Sequence, residues 1–173
     1  MTSAIRKTMI LAIGLVTVLG GSAVAVAVVN PYAALSTAHG EGFQIRSQLD
    51  PTFCIDVAAG ATQGRPLSLS ACLQGLQTQL WTFTNNSDGS NLLVDYMGMC
   101  VDTAGRKVGD GLALKVRKCS FVSSQRFQFT SVGRIQVTGT TKCLSIPRAA
   151  PAVAVFLETC NSSNPREVFK LAL

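Results

Sequence analysis

Cys54-Ile55-Asp56-Val57-Ala58 returns as Cys100-Val101-Asp102-Thr103-Ala104 and, more loosely, as Cys143-Leu144-Ser145-Ile146-Pro147. Self-similarity at a fixed interval marks a repeat architecture, in which one supersecondary unit is used several times. Each opening cysteine is followed by a second one, Cys72, Cys119 and Cys160. Leu67 and Leu69, Leu114 and Val116, and Val155 and Leu157 stand at the same offsets before those second cysteines. Alternation of this kind, apolar at every second residue, is the signature of a half-buried strand.

Each unit closes on an aromatic strand: Gln79-Leu80-Trp81-Thr82-Phe83, Gln125-Arg126-Phe127-Gln128-Phe129 and Glu167-Val168-Phe169-Lys170-Leu171. Turn signals such as Ala59-Gly60, Gly109-Asp110-Gly111 and Thr138-Gly139-Thr140 separate the short β-like segments, and nothing beyond residue 38 reads as a long helix. The repeats span about 42–89, 90–133 and 134–173, each with four strands. Three such units can close on themselves and remove their exposed sheet edges, which makes an all-β, pseudo-three-fold fold the economical architecture. The near-constant cysteine spacing also chooses among the pairings that six cysteines allow, because only local bridges respect the repeat. Cys54 with Cys72, Cys100 with Cys119, and Cys143 with Cys160 are expected.

Upstream of the repeats, Arg6 and Lys7 precede an uncharged run from Met9 to Val29, and Ser36 and Ala38 occupy the small positions of a signal-peptidase site. Residues 1–38 are therefore expected to be a signal peptide, or an uncleaved anchor through residues 9–29, with 39–173 as the exported domain. In both cases the positive flank stays inside and the repeats are translocated. A secreted or extracellular setting suits six cysteines, since thiols oxidise there and an even count in a small domain implies a disulfide framework.

Composition narrows the chemistry further. Across 173 residues the chain carries 15 Lys+Arg, 9 Asp+Glu and a single histidine, His39, for a formal charge of +6. Removing Arg6 and Lys7 lowers that to +4. The basic residues are scattered, not drawn into a stripe with interleaved aromatics, so nucleic acid is not expected as a partner. With His39 the single histidine, Ser-His-Asp, Cys-His and two-histidine metal chemistry are nearly excluded, and disulfide formation consumes the sulfurs as ligands, so no metal and no cofactor is expected.

The exported part, from about residue 42 to 173, resembles a ricin B-type lectin domain, a β-trefoil whose repeats share a Cys-hydrophobic-Asp-hydrophobic start, a second cysteine and a Gln-x-Trp close. The resemblance implies a non-catalytic carbohydrate-binding module. It places the sugar-binding carboxylates at Asp56 and Asp102, with Gln79 and Gln125 beside them. An exposed carboxylate, an acceptor only, suits paired sugar hydroxyls. Ser145 replaces the aspartate in the third repeat, where no working site is expected. The stacking aromatic of similar lectins, two residues before the second cysteine, is replaced by Ser70, Arg117 and Glu158. The sites of the first two repeats are thus expected to be weak and partly degenerate. An alternative role for Asp56 and Asp102 is as acceptors for backbone N–H groups in their own turns.

Trp81, Phe83, Phe127, Phe129 and Phe169 are core by their phase, whereas Phe53, Tyr96, Phe121 and Phe156 fall off it or beside turns. Tyr96, Phe121 and Phe156 are candidates for substitute stacking groups or for contacts with a protein. Catalysis is not expected, because Asp56 and Asp102 belong to different repeats and nothing in the sequence buries Glu158 or Glu167 to make an acid. Two functions follow. One is binding of a carbohydrate, a polysaccharide or extended glycan in preference to a monosaccharide, by a monomer whose weak sites gain avidity on a repeating ligand. The other is a degenerate trefoil serving as a scaffold for a separate protein chain, as toxin subunits and protease inhibitors of similar fold do.

Overall fold

The computed structural model describes residues 42–57, 60–85, 91–105 and 107–173. The expected export segment over 1–38, and His39, lie outside them. The described residues form twelve strands: β1 (Gln44–Ser47), β2 (Phe53–Asp56), β3 (Ser68–Ala71), β4 (Trp81–Asn85), β5 (Asn91–Asp95), β6 (Met99–Asp102), β7 (Lys115–Lys118), β8 (Phe127–Phe129), β9 (Ile135–Val137), β10 (Lys142–Ser145), β11 (Phe156–Thr159) and β12 (Phe169–Ala172). Four strands fall in each repeat, in the β-trefoil arrangement that the sequence repeats predict.

Six strands make a closed barrel. β1 pairs with β12, β4 with β5, β5 with β8 and β8 with β9, all antiparallel. Phe43 and Trp81 exchange two 2.9 Å backbone bonds that join β1 to β4, and Phe169 N–H donates to Gly133 C=O at 2.9 Å, which joins β12 to β9. Among the described residues no barrel edge is left for another chain to extend. The remaining strands form three hairpins, β2–β3, β6–β7 and β10–β11, which cap one end.

Those hairpins are tied to one another through main-chain atoms at the axis. Leu67 N–H donates to Leu114 C=O at 3.0 Å, Leu114 N–H to Val155 C=O at 3.1 Å, and Val155 N–H to Leu67 C=O at 3.1 Å, closing a ring of three bonds. A second set surrounds it, from Leu69 to Val153, Val116 to Arg65 and Leu157 to Leu112. The apolar pairs that alternate before each second cysteine therefore serve as three-fold equivalents, and their side chains have no solvent exposure at Leu67, Leu69, Leu114, Val116, Val155 and Leu157.

The rest of the core follows the same symmetry. Ile55, Val101 and Leu144 beside the first cysteines, Ile45, Leu93 and Ile135 on the barrel, and Trp81, Phe127 and Phe169 are all buried. Burial of each such side chain contributes about 1.5–3 kcal/mol. Trp81 also satisfies its indole by donating to Ile55 C=O at 3.1 Å, a need that Phe127 and Phe169 do not have. Phe83 and Phe129 are only partly buried and meet edge to face with centroids 4.6 Å apart. Phe53, expected off the inward phase, packs against the core as well.

The three disulfides are Cys54–Cys72, Cys100–Cys119 and Cys143–Cys160, all within a repeat, as the spacing predicts. Each joins the first strand of a hairpin to the segment just past the second. The aromatic strands begin later than expected, because Gln77–Gln79, Ser123–Gln125 and Pro165–Glu167 form 3-10 turns ahead of them. That single tight turn points Gln79, Gln125 and Glu167 back under the hairpins. Among the described residues no helix is long and apolar enough to cross a membrane.

Candidate functional site

In every repeat the residue at the end of the 3-10 turn is buried and holds the loop after the second cysteine. Gln79 Oε1 accepts from Leu73 N–H at 2.9 Å, Gln125 Oε1 from Ser120 N–H at 2.8 Å, and Glu167 Oε2 from Asn161 N–H at 2.8 Å. The two glutamines also donate. Gln79 Nε2 bonds Ala71 C=O at 2.8 Å and Asp56 Oδ2 at 3.3 Å, and Gln125 Nε2 bonds Lys118 C=O at 3.0 Å and Asp102 Oδ2 at 2.9 Å. One amide thus positions both the loop and the aspartate, which a residue of any other type could not do with the same geometry.

Asp56 and Asp102 were expected to be exposed, and the structure corrects this: each is only 4% accessible. They sit at the ends of β2 and β6, where the glutamine from the 3-10 turn covers them. Asp102 Oδ1 also accepts from Ala104 N–H at 2.5 Å, the local turn bond. A carboxylate offers about four lone-pair directions, so two bonds leave acceptor capacity at Asp102. Asp56 Oδ1 has no partner among the described residues. The two aspartates stand on different hairpins, β2–β3 and β6–β7, with no shared pocket among those described.

A shallow cleft of about 290 Å³ opens over Asp102 and Gln125, bounded by Arg117 and Lys118 of β7 and closed on one side by Gln63 from the preceding repeat. The third repeat has the corresponding cleft, of about 430 Å³, with Asp110 in the place of Gln63. Its interior differs from expectation. Ser145 lacks a carboxylate of its own, but its Oγ donates to Glu158 Oε2 at 2.7 Å, so that Glu158, from the position of the missing stacking residue, brings a carboxylate to the serine. Phe156 lies beside it, half-buried in the cleft wall.

The sequence also hid the burial of Glu167, which has no accessible surface. It occupies the place of Gln79 and Gln125, and alignment of the three closing segments is the signal that finds it. Arg134 Nε lies 3.5 Å from Glu167 Oε2 and supplies the compensating charge, while Asn164 Nδ2 donates to Oε1 at 2.9 Å. At the Asp110 wall of the third-repeat cleft, Lys142 Nζ lies 2.8 Å from Asp110 Oδ1, joining the second repeat to the third. That hydrogen bond holds the Asp110 carboxyl below the usual carboxylate range.

The substitute aromatics divide. Tyr96 is 36% exposed and Phe121 61% exposed, whereas Phe156 is half-buried. Ser70, Arg117 and Glu158 occupy the three equivalent strand positions, opposite Cys54, Cys100 and Cys143 in register. No group of three or more His, Cys, Asp or Glu among the described residues is placed to hold a metal ion.

A family model described as the ricin-type beta-trefoil lectin domain matches residues 41–169. Among solved structures, a designed three-fold symmetric protein, ThreeFoil, superposes with a TM-score of 0.69 at 16% identity over 76% of this chain and 97% of its own. The C-half of an earthworm R-type lectin, solved with GalNAc, gives 0.61 at 13% identity over 77% and 98%. The agglutinin from Abrus precatorius gives 0.64 at 21% identity over 79% of this chain and 50% of that one, so the chain spans half of that protein's length. At these identities the likeness establishes the fold. Comparison with curated proteins found no match.

Proposed function

The chain belongs to the ricin-type β-trefoil lectin domain family, and from that premise we propose that it is a secreted, non-catalytic carbohydrate-binding module. The observation that carries the reading is the repeated carboxylate–amide pair, Asp56 with Gln79 and Asp102 with Gln125. A buried glutamine fixes each carboxylate at the floor of its hairpin, so that little rotamer freedom is lost when sugar hydroxyls bind. The accessible part of each aspartate is small, and the aromatic stacking position is vacant of any ring, which limits affinity at a single site. Several weak sites around a pseudo-three-fold axis gain by avidity on a repeating ligand, which favours an extended glycan or polysaccharide over a monosaccharide. Three disulfides suit an oxidising compartment.

The test is a binding screen of the purified protein against soluble glycans and insoluble polysaccharides, with an Asp56→Ala/Asp102→Ala double variant as control. Binding that disappears in a double variant retaining its three disulfides supports the reading. Silence across the panel, or binding untouched by the double change, would move the function to recognition of a separate protein chain, with Tyr96, Phe121 and Phe156 as the residues to examine next.

A further inference from the structure

The equivalent clefts of the second and third repeats differ in charge. In the second, Arg117 and Lys118 both line the wall, and neither side chain has a hydrogen-bond or ion-pair partner among the described residues. The acid on the floor, Asp102, is 4% accessible and already accepts from Gln125 and from Ala104 N–H. The accessible charge of this cleft is therefore positive. In the third repeat the position of Arg117 is taken by Glu158, so the sign at that position is reversed, with Arg166 also lining the cleft.

A second feature stands in the loop that carries two of the lining residues, Ser120 and Val122. Phe121 lies between them, and its backbone is in the left-handed region at φ +59° with the ring 61% exposed. A bulky residue rarely adopts that conformation, and such strain persists where the surroundings over-determine it, often at ligand clamps. Here the Arg126 guanidinium donates to Phe121 C=O from Nε at 3.4 Å and Nη2 at 3.3 Å, bracing the loop. The fold gains little burial from a ring held in this way.

We propose that the second-repeat cleft binds a saccharide bearing a carboxylate, such as a uronic or sialic acid residue, with Arg117 as the carboxylate grip. The guanidinium fork matches a carboxylate through two parallel N–H···O bonds, whereas neutral hydroxyls have no use for its charge. Lys118 adds charge without fixing geometry. This inference rests on the reading that the cleft holds sugar at all.

The test uses the full-length chain and two matched pairs of probes, trigalacturonate against its methyl ester and sialyllactose against lactose, measured by titration calorimetry or ligand-observed NMR. At least one acidic member is expected to bind about tenfold more tightly than its neutral partner, with the preference shrinking as salt rises to about 0.15 M. Arg117→Gln brings that acid to within about threefold of its partner, Arg117→Lys retains part of the preference, and Lys170→Gln on β12 of the third repeat leaves it unchanged. A thermal midpoint confirms that each variant folds. Equal binding of acid and neutral forms, abolished by Asp102→Ala, overturns the charge reading and leaves the sugar reading standing. A preference that survives Arg117→Gln overturns Arg117 as the grip, and failure of every probe to bind overturns both readings.

Discussion

Ser145 Oγ and Glu158 Oε2 lie 2.7 Å apart, so the third repeat carries its carboxylate on the strand opposite the one that bears Asp56 and Asp102 in the other two. Restoring the aspartate would then place two carboxylates face to face. Ser145→Asp is expected to destabilise the protein by about 1–3 kcal/mol at neutral pH, because the half-buried Glu158 carboxylate loses its donor and gains a like charge. The pair's folded pKa values rise, so the penalty sets in as pH climbs through the ordinary carboxylate range and is relieved in acid. Urea unfolding of both proteins at acid and neutral pH measures it, and equal destabilisation at both would contradict the geometry.

Arg134 guards Glu167. Truncating it as Arg134→Met leaves an ionised carboxylate with no accessible surface and no cation beside it. The expected cost is about 3–5 kcal/mol. Adding Glu167→Gln, which copies Gln79 and Gln125, should recover most of the loss, and a double-mutant cycle gives the coupling directly.

Ala152 has a φ of +58°, where the equivalent residues of the first and second repeats are Gly64 at +89° and Gly111 at +76°. Its N–H donates to Leu69 C=O at 2.8 Å, which holds it in that region. Ala152→Gly relieves the Cβ contact and should stabilise the protein by about 1 kcal/mol, net of the greater freedom of glycine in the unfolded chain. The denaturant midpoint under non-reducing conditions reads the change.

Asp95 gives a pH signature. Burial raises its pKa, against the opposing hydrogen bonds from Met99 and Met97 N–H. A folded pKa above the unfolded value means that the contribution is fully present below the unfolded pKa and is lost as pH rises through the folded one. Asp95→Asn keeps the acceptor oxygen and removes the charge. It should be more stable than the parent at neutral pH and indistinguishable from it in strong acid, as thermal midpoints across that range would show.

Legibility of the sequence varied with the kind of feature. The disulfide pairs, the three inward aromatics and the triples such as Leu67, Leu114 and Val155 were readable because symmetry copies them at fixed offsets. The accessibility of Asp56 and Asp102 was misread, since spacing along the chain does not say which neighbour folds over a turn, and a tight 3-10 turn at Gln77–Gln79 does so from more than twenty residues away. Glu167 escaped for a related reason: its compensating partner, Arg134, comes from the barrel and not from the hairpin that carries the site. The pairing of Ser145 with Glu158 needed the cross-strand register of β10 and β11, which sequence alone does not fix.

The ring of bonds through Leu67, Leu114 and Val155 has a consequence for how the three faces differ. It is built from main-chain atoms, so it constrains the rims through shape and not through side-chain identity. Ser70, Arg117 and Glu158 can stand at equivalent places with a neutral, a positive and a negative group without altering the axis that holds them. A symmetric hub of this kind lets one chain present three chemically unlike windows, each open to change while the others stay fixed.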